Sequence, residues 1–295
     1  MLLLNHKLIL LAFLVLALFL NAADSVEAKK QCRAKHHHKN HHKHHKSSPS
    51  NSHSDATSSS NASSGIHPNG DGILSVPLLW GLGRVNHDDD WSRFQAFKKL
   101  KPGSAPFVMG FNEPDFSGSG SSGVISVADA AAAWEQWLAP HKQAGAKLIS
   151  PSMAMQKDEK WLGPFLKAVK TQPDIIAVHI FQDNMDGVKG VLDHFAQYGK
   201  PMWITEFACI NYQGPSPVYC DQNKVDSVLS QMVQLFESDS RVAAYSVSDA
   251  NNGPYGDLTP NQAGQSLSST GKSYLASVQQ ASQRRRRRGL VPVRR

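Results

Sequence analysis

The sequence predicts an α/β fold in which parallel strands alternate with helices. In this chain of 295 residues, short apolar runs typical of strands alternate with helical patterns over residues 73–283. Because each parallel crossover needs a helix, the candidate architectures are an open doubly wound sheet and a (β/α) barrel. An open nucleotide-binding sheet should carry a glycine-rich phosphate loop after its first strand. The nearest match, at residues 80–84, lacks the third glycine, so it is weak.

Six apolar runs are predicted as strands and five segments between them as helices. The predicted strands are Leu74–Trp80, Phe107–Phe111, Lys147–Ser150, Ile175–Phe181, Met202–Phe207 and Val242–Val247. The predicted helices are Asp90–Leu100, Val127–Ala144, Lys160–Lys170, Val188–Tyr198 and Lys224–Ser238. Ser126 and Asp129 have the spacing of a capping box, with Asp in place of the usual Glu. The tryptophans on helical patterns are expected in the core: Trp91, Trp134, Trp137 and Trp161.

The N-terminal segment, residues 1–28, is predicted to be a signal peptide. Lys7 precedes the unbroken apolar run Leu8–Leu20, and small residues follow it. The run is shorter than the roughly 20 residues that a membrane-spanning helix needs, and the pattern is that of a cleaved secretory signal. An uncleaved membrane anchor is the alternative. We therefore expect a secreted protein, extracellular or in the cell wall, with no membrane attachment after cleavage.

Residues 29–72 are predicted to be a disordered linker, rich first in His and Lys and then in Ser, because they lack the apolar residues of a core. Its histidines could bind transition metals weakly, or the linker has no specific ligand. Asn61 begins an N-glycosylation sequon. Residues 284–295 are predicted to be a basic disordered tail. The net charge of +7 comes from these segments, since 29–46 and 284–295 each hold seven Lys or Arg. The remainder is mildly acidic, so we expect no nucleic-acid partner.

The three cysteines are too few for a disulfide scaffold, and no C-x-x-C pair is present. In an oxidising compartment Cys209 and Cys220 are expected to form a disulfide that closes a short Pro-containing loop. Cys32 is expected to be free or to form an intermolecular bond.

Two glutamates occupy the same kind of position in the predicted fold. Glu113 follows the strand Phe107–Phe111 within Asn-Glu-Pro, and Glu206 is the last residue but one of the strand Met202–Phe207. In a parallel barrel the carboxyl ends of the strands converge on the face that holds the active site. Glycoside hydrolysis needs two carboxyl groups, one to protonate the leaving oxygen and one to attack or to activate water. The alternative is that each Glu caps the helix that follows.

Four ordered motifs resemble glycoside hydrolase family 128, the fungal alkali-sensitive-linkage-type β-1,3-glucanases. The motifs are Val76–Gly81, Gly110–Asp115, Ile176–His179 and Pro201–Cys209. The resemblance implies a (β/α) TIM-type barrel that cleaves with retention, with residues 73–283 as its catalytic domain. It implies Glu113 as acid/base, Glu206 as nucleophile, and Asn112 and His179 as contacts of the sugar or the nucleophile. Trp80 and Phe181 are further candidate substrate contacts. We expect no metal and no cofactor in this site.

The chain also departs from the family pattern. The strand that matches Val76–Trp80 is usually the third of the barrel, and a linker precedes it here, so we expect the first two β/α units to be absent from this sequence. His179 is normally followed by Trp-Tyr, and here by Ile-Phe; the last strand lacks its usual terminal aromatic. We therefore expect unpaired edges at Leu74–Trp80 and Val242–Val247. The predicted function is a secreted retaining endo-β-1,3-glucanase acting on fungal wall glucan. The alternatives are a catalytically weak or inactive glucan-binding wall protein and a His-rich metal-binding protein.

Overall fold

The structure, a computed structural model, contains seven strands and seven helices in the residues it describes: 74–85, 88–118, 121–154, 158, 160–212, 216–248 and 267–287. The strands are β1 Phe107–Met109, β2 Lys147–Ile149, β3 Ile176–Phe181, β4 Met202–Ala208, β5 Ile210–Asn211, β6 Val218–Tyr219 and β7 Val242–Tyr245. The helices are α1 Asp88–Lys98, α2 Val127–Trp137, α3 Ala139–Gln143, α4 Leu162–Ala168, α5 Met185–Phe195, α6 Gln222–Ser238 and α7 Ser269–Arg287. A 3₁₀ turn, Ala196–Tyr198, follows α5.

The strands β1, β2, β3, β4 and β7 are parallel and lie side by side in chain order. β1 pairs with β2, and β3 pairs with β4, which pairs in turn with β7. Single parallel bridges join Leu78 to Met109 and Ile149 to Ile175, which extends the same order across the whole set. Within the described residues, segment 74–80 and β7 are therefore the two edges. The predicted α/β class with parallel strands is confirmed.

Segment 74–80 was predicted as a full strand, but it pairs with β1 through a single bridge. The Leu79 N–H donates to the Met109 carbonyl at 3.0 Å, and the Met109 N–H donates to the Pro77 carbonyl at 2.8 Å. Pro77 has no N–H and cannot donate to a ladder, which confines proline to edges of sheets. The segment is extended and paired, yet too irregular to count as a strand.

The parallel strands curve strongly. The rings of Phe107 on β1 and Trp203 on β4 lie 4.7 Å apart, centroid to centroid. These strands are three positions apart in the order, a separation of about 14 Å in a flat sheet. Both rings belong to an inner apolar cluster with Met109, Ile149 and Ile175. The sheet therefore bends around this cluster as barrel sheets do; closure into a TIM-type barrel remains a prediction.

The outer face of the strands is covered by helices. Trp134 of α2 meets Phe165 of α4 edge to face at 5.3 Å, and Trp161 stacks on Phe165 at 5.2 Å. Trp134 and Trp161 are buried, as expected, whereas Trp137 is only partly buried. The prediction was wrong for Trp91, whose side chain on α1 is 58% exposed.

Two predicted boundaries were wrong for local reasons. The predicted helix Val127–Ala144 divides at Leu138, because Pro140 lacks the N–H that a continuous helix would use. The predicted tail 284–295 begins inside α7, which continues to Arg287. Helix α7 packs on α6, with Ser277 Oγ 2.9 Å from Ser230 Oγ.

The predicted signal peptide, the linker, Asn61, Cys32 and residues 288–295 lie outside the described residues. No helix in the part of the chain that the structure describes has the length and apolar character needed to cross a membrane. Cys209 and Cys220 are joined, with Cα atoms 5.7 Å apart. The disulfide closes the base of the antiparallel hairpin β5–β6, in which Ile210 pairs with Tyr219.

A first prediction concerns Gly110, which joins β1 to the Asn-Glu-Pro motif. A Cβ at Gly110 would lie 2.8 Å from the ring of Trp134 and 3.0 Å from the backbone nitrogen of Pro151. We expect Gly110→Ala to lower the free energy of unfolding by about 1–3 kcal/mol through overpacking. Gly190→Ala is the matched control. Its Cβ would meet no atom within 4 Å, and an alanine inside α5 should add about 0.5–1 kcal/mol. Urea denaturation that gives both variants the same sign would contradict this packing.

A second prediction concerns the disulfide. Replacing Cys209 and Cys220 together by Ala should lower the free energy of unfolding by up to about 3 kcal/mol, because the unfolded chain regains the entropy of a short closed loop. Thermal unfolding of the oxidised protein measures the loss, and Cys32→Ser is the control, with no change expected. Peptide mapping that found free thiols at both positions would be the contrary result.

Candidate active site

One buried imidazole contacts both predicted catalytic glutamates. His179 Nδ1 lies 2.8 Å from Glu113 Oε1, and His179 Nε2 lies 3.6 Å from Glu206 Oε1. His179 lies on β3, Glu206 on β4 and Glu113 in the turn after β1. His179 is 66 positions from Glu113 and 27 positions from Glu206 in the sequence. The carboxyl groups remain partly exposed while the imidazole is buried. The two glutamates therefore share one site that opens to solvent.

A β-bulge sets the position of Glu206. Val178 pairs with Ile204, but the next residue, His179, pairs with Glu206, so Thr205 has no partner in β3. Without this extra residue, His179 would face Thr205, and Glu206 would point to the other side of the sheet, since strand side chains alternate. Bulges recur beside active sites because they redirect a side chain in this way. Here the bulge places Glu206 and His179 on the same face.

The backbone at Glu113 is strained. Its φ of +50° makes it the only residue other than glycine with positive φ among those the structure describes. A side chain with a Cβ pays a steric cost in this region, and such residues cluster at functional sites. The Glu113 N–H donates to the Ser152 carbonyl at 3.0 Å, and its own carbonyl accepts from the Phe116 N–H at 3.1 Å. These hydrogen bonds hold the turn in which Pro114 is buried.

Glu206, the predicted nucleophile, also contacts Ser248. Ser248, buried just beyond β7, donates its hydroxyl to Glu206 Oε2 at 2.9 Å. Its own N–H donates to the Phe207 carbonyl at 3.1 Å, which fixes its position. Ser248 was not predicted from the sequence, in which the strand Val242–Val247 stood out only for lacking a terminal aromatic residue. One oxygen of Glu206 is thus hydrogen-bonded to Ser248, and the other faces His179.

The charges of the site favour the protonated form of His179. Burial alone would lower the pKa of the imidazole. The hydrogen bond with Glu113 and the negative charge of Glu206 outweigh burial and raise the pKa above its ordinary value. The charge of Asp115 acts in the same direction. His179 Nε2 makes no hydrogen bond in the described part of the chain, so the nearest counter-charge on that side is Glu206.

The other predicted substrate contacts are Asn112, Phe181 and Trp80. They lie near the two glutamates, and their side chains differ in solvent exposure. The Asn112 N–H donates to the Trp80 carbonyl at 2.9 Å, and the Asn112 carbonyl accepts from Ser122 Oγ. Phe181 meets His179 edge to face, with ring centroids 6.0 Å apart. Trp80 is only 9% exposed, and the Arg93 guanidinium lies over its ring at 4.5 Å. Trp80 therefore packs at the edge of the core, and sugar stacking at this ring remains a prediction.

One exposed aromatic residue near the site was not predicted from the sequence. Tyr212, directly after β5, meets Phe181 edge to face at 6.2 Å and is 50% exposed. Its signal in the sequence is slight, since a single tyrosine in a Pro-containing loop has no periodic context. Within the described ranges, no three His, Cys, Asp or Glu side chains are arranged to hold a metal ion.

Comparison with known proteins gives a family and several relatives. The family model described as the glycosyl hydrolase catalytic core matches residues 25–274. Alkali-sensitive linkage protein 1 of Schizosaccharomyces pombe is 32% identical over 142 residues, which are 47% of this chain and 26% of that protein. The chain thus spans about a quarter of the length of this curated relative.

Solved structures with a similar fold include two described as subgroup VII oligosaccharide-binding proteins of family GH128. The one from Cryptococcus neoformans is 41% identical, with a TM-score of 0.63, over 71% of this chain and 81% of that chain. The one from Trichoderma gamsii is 38% identical, with a TM-score of 0.66, over 73% and 84%.

A subgroup I endo-β-1,3-glucanase from Amycolatopsis mediterranei, in complex with laminaritriose, is 23% identical, with a TM-score of 0.55, over 70% of this chain and 83% of that chain. At this identity the likeness concerns the fold alone. The family model covers most of the chain, and both subgroup VII proteins share more than a third of their aligned residues with it. The chain therefore belongs to the glycosyl hydrolase catalytic core family and to glycoside hydrolase family 128.

Proposed function

We propose that this protein is a retaining glycoside hydrolase that cleaves β-1,3-glucan. The observation that supports this most directly is the contact of one buried imidazole with both Glu113 and Glu206. Two carboxyl groups held at one partly open site are the minimum for this reaction. The strained backbone of Glu113 adds support, because residues with such an unfavourable backbone conformation cluster at active sites, where it holds a side chain in one direction.

In the proposed mechanism, Glu206 attacks the anomeric carbon while Glu113 protonates the leaving glycosidic oxygen. The covalent glycosyl intermediate is then hydrolysed by a water whose proton returns to Glu113. The hydrogen bond from Ser248 holds Oε2 of Glu206, and His179 Nε2 faces Oε1 at 3.6 Å. This preorganisation favours attack, since little reorientation is needed at the moment of reaction.

The choice of β-1,3-glucan as substrate draws on the relatives. The subgroup I enzyme is an endo-β-1,3-glucanase in complex with laminaritriose, and a subgroup V protein of Cryptococcus neoformans is an exo-β-1,3-glucanase. We propose the same glucan for this chain, with endo action. We also propose secretion to the cell wall through the segment 1–28 and removal of that segment, which the N-terminal sequence supports.

A second candidate function is glucan binding without hydrolysis. The two subgroup VII proteins, at 41% and 38% identity, are described as oligosaccharide-binding, whereas the subgroup I glucanase is 23% identical. The site itself offers a physical reason for slow hydrolysis. Glu113 Oε1 already lies 2.8 Å from His179 Nδ1, so this contact competes with the leaving oxygen for the carboxyl group.

The third prediction separates these two functions. Glu206→Gln should lower hydrolysis of laminarin by at least about 1,000-fold while binding changes little, because the amide keeps its shape and cannot attack. Glu113→Ala should lower it by about 10²- to 10⁴-fold, and less for aryl glycosides with good leaving groups, which need little protonation. Added azide should partly rescue Glu113→Ala. NMR of the first product reports whether the anomeric configuration is retained.

Glu237→Gln is the control for these variants. Glu237 accepts a hydrogen bond from the Tyr245 hydroxyl, an interaction that glutamine preserves, so this variant should keep wild-type activity. A wild-type protein that binds laminari-oligosaccharides without cleaving them would favour the binding function. A product of inverted configuration would contradict the retaining mechanism.

The fourth prediction follows from the raised pKa of His179. A histidine whose folded-state pKa is raised contributes stability that is complete below its unfolded pKa of about 6.5 and is lost as pH rises through the folded value. The unfolding free energy of wild type minus that of His179→Gln should therefore be largest below about pH 6.5 and fall toward pH 9. Urea denaturation at several pH values measures this difference.

His141 is the control of opposite sign. Burial lowers the pKa of His141, so its stabilising effect is lost as pH falls, and the difference between wild type and His141→Gln should shrink toward low pH. If the His179 difference instead grew with pH, the proposed protonated imidazole between the glutamates would be wrong.

A further inference from the structure

The hairpin β5–β6, residues 209–220, concentrates exposed apolar side chains. Six large apolar side chains are exposed in the described part of the chain, and three of them belong to this hairpin. They are Tyr212 at 50%, Val218 at 63% and Tyr219 at 42% exposure. Isolated apolar residues on a surface need no explanation. Val218 and Tyr219 are consecutive in β6 and point to opposite faces, whereas Tyr212 contacts Phe181 beside the catalytic site.

The base of the hairpin is held by a disulfide and by hydrogen bonds. The Cys209–Cys220 disulfide closes its base. Asn211 Nδ2 donates to Asp183 Oδ2 at 3.3 Å, and Lys224 Nζ lies 2.8 Å from the same oxygen. Asp183 thereby ties the hairpin to the end of β3 and to the first turn of α6. A surface that is rigid before binding loses less entropy when it binds.

Aromatic rings connect the catalytic site to this hairpin. His179, which touches both glutamates, meets Phe181 edge to face at 6.0 Å, and Phe181 meets Tyr212 at 6.2 Å. Burial decreases along this series, from buried His179 to half-buried Phe181 to exposed Tyr212. A ligand chain that leaves the catalytic site over Phe181 therefore reaches Tyr212 next.

We propose that Tyr212 stacks on a glucosyl unit outside the reacting centre and so determines the length of glucan that is bound well. This proposal rests on the proposed function, since it takes β-1,3-glucan as the ligand. A pyranose ring presents an apolar C–H face together with hydroxyl groups. The apolar body and polar tip of a tyrosine suit such a ligand.

The test compares oligosaccharides of different length. Calorimetry in the Glu206→Gln background, where hydrolysis is blocked, measures the affinity for laminaribiose and for laminarihexaose. Tyr212→Ala should weaken binding of the hexaose by about tenfold, the upper range for one aromatic contact, and change binding of the disaccharide by less than twofold. Tyr212→Trp should restore the hexaose affinity, because the stacking face is kept.

Trp91→Ala is the matched control. Trp91 is a comparably exposed aromatic on α1, and its removal should leave both affinities unchanged. Thermal unfolding verifies that every variant is folded.

Three outcomes would overturn the proposal: an unchanged hexaose affinity in Tyr212→Ala, an equal loss for both oligosaccharides, or the same loss in Trp91→Ala. A wild-type dimer that becomes a monomer in Tyr212→Ala, with no change in length dependence, would assign the surface to self-association instead. If the wild-type site bound neither oligosaccharide, the proposed function itself would fail. If the wild-type site bound both oligosaccharides but Tyr212→Ala did not change how affinity depends on their length, only the role of Tyr212 would be refuted.

Discussion

The site depends on one irregularity in the pairing of β3 with β4. Because Thr205 is an extra residue in β4, Glu206 stands opposite His179 and on the same face. A regular ladder would send Glu206 to the opposite face, away from Glu113. Three features of the site follow from this placement: the imidazole between two carboxyl groups, the raised pKa of His179 and the hydrogen bond from Ser248 to Glu206 Oε2.

The second glutamate is positioned by a different device. Glu113 lies in a turn with positive φ, and the cost of that conformation is offset by hydrogen bonds on both sides of the turn. Asn112 bonds to the Trp80 carbonyl, while Glu113 bonds to the Ser152 carbonyl. The segments on either side of β1 therefore hold this motif between them. The curvature of the sheet, seen in the contact of Phe107 with Trp203, directs both glutamates toward one opening.

Hydrolysis and binding place different demands on the same residues. Binding requires only that the cleft fit the glucan, whereas hydrolysis also requires Glu113 to exchange its contact with His179 for the leaving oxygen. The family includes proteins described in both ways. The contact of Glu113 with His179 therefore affects hydrolysis directly, whereas binding depends on the fit of the cleft.

The sequence by itself determined the features that local patterns encode. Alternating apolar runs gave the parallel α/β class, apolar strands that end in glutamate identified Glu113 and Glu206 as candidates, and ordered motifs indicated the family, which the comparisons confirm. Only the tertiary structure decided the contacts between distant positions. The bulge at Thr205, the bond of Ser248 to Glu206 across 42 positions and the exposure of Tyr212 have no local signal. Each results from how separate strands and loops align, and that alignment is set by packing of the whole sheet rather than by neighbouring residues.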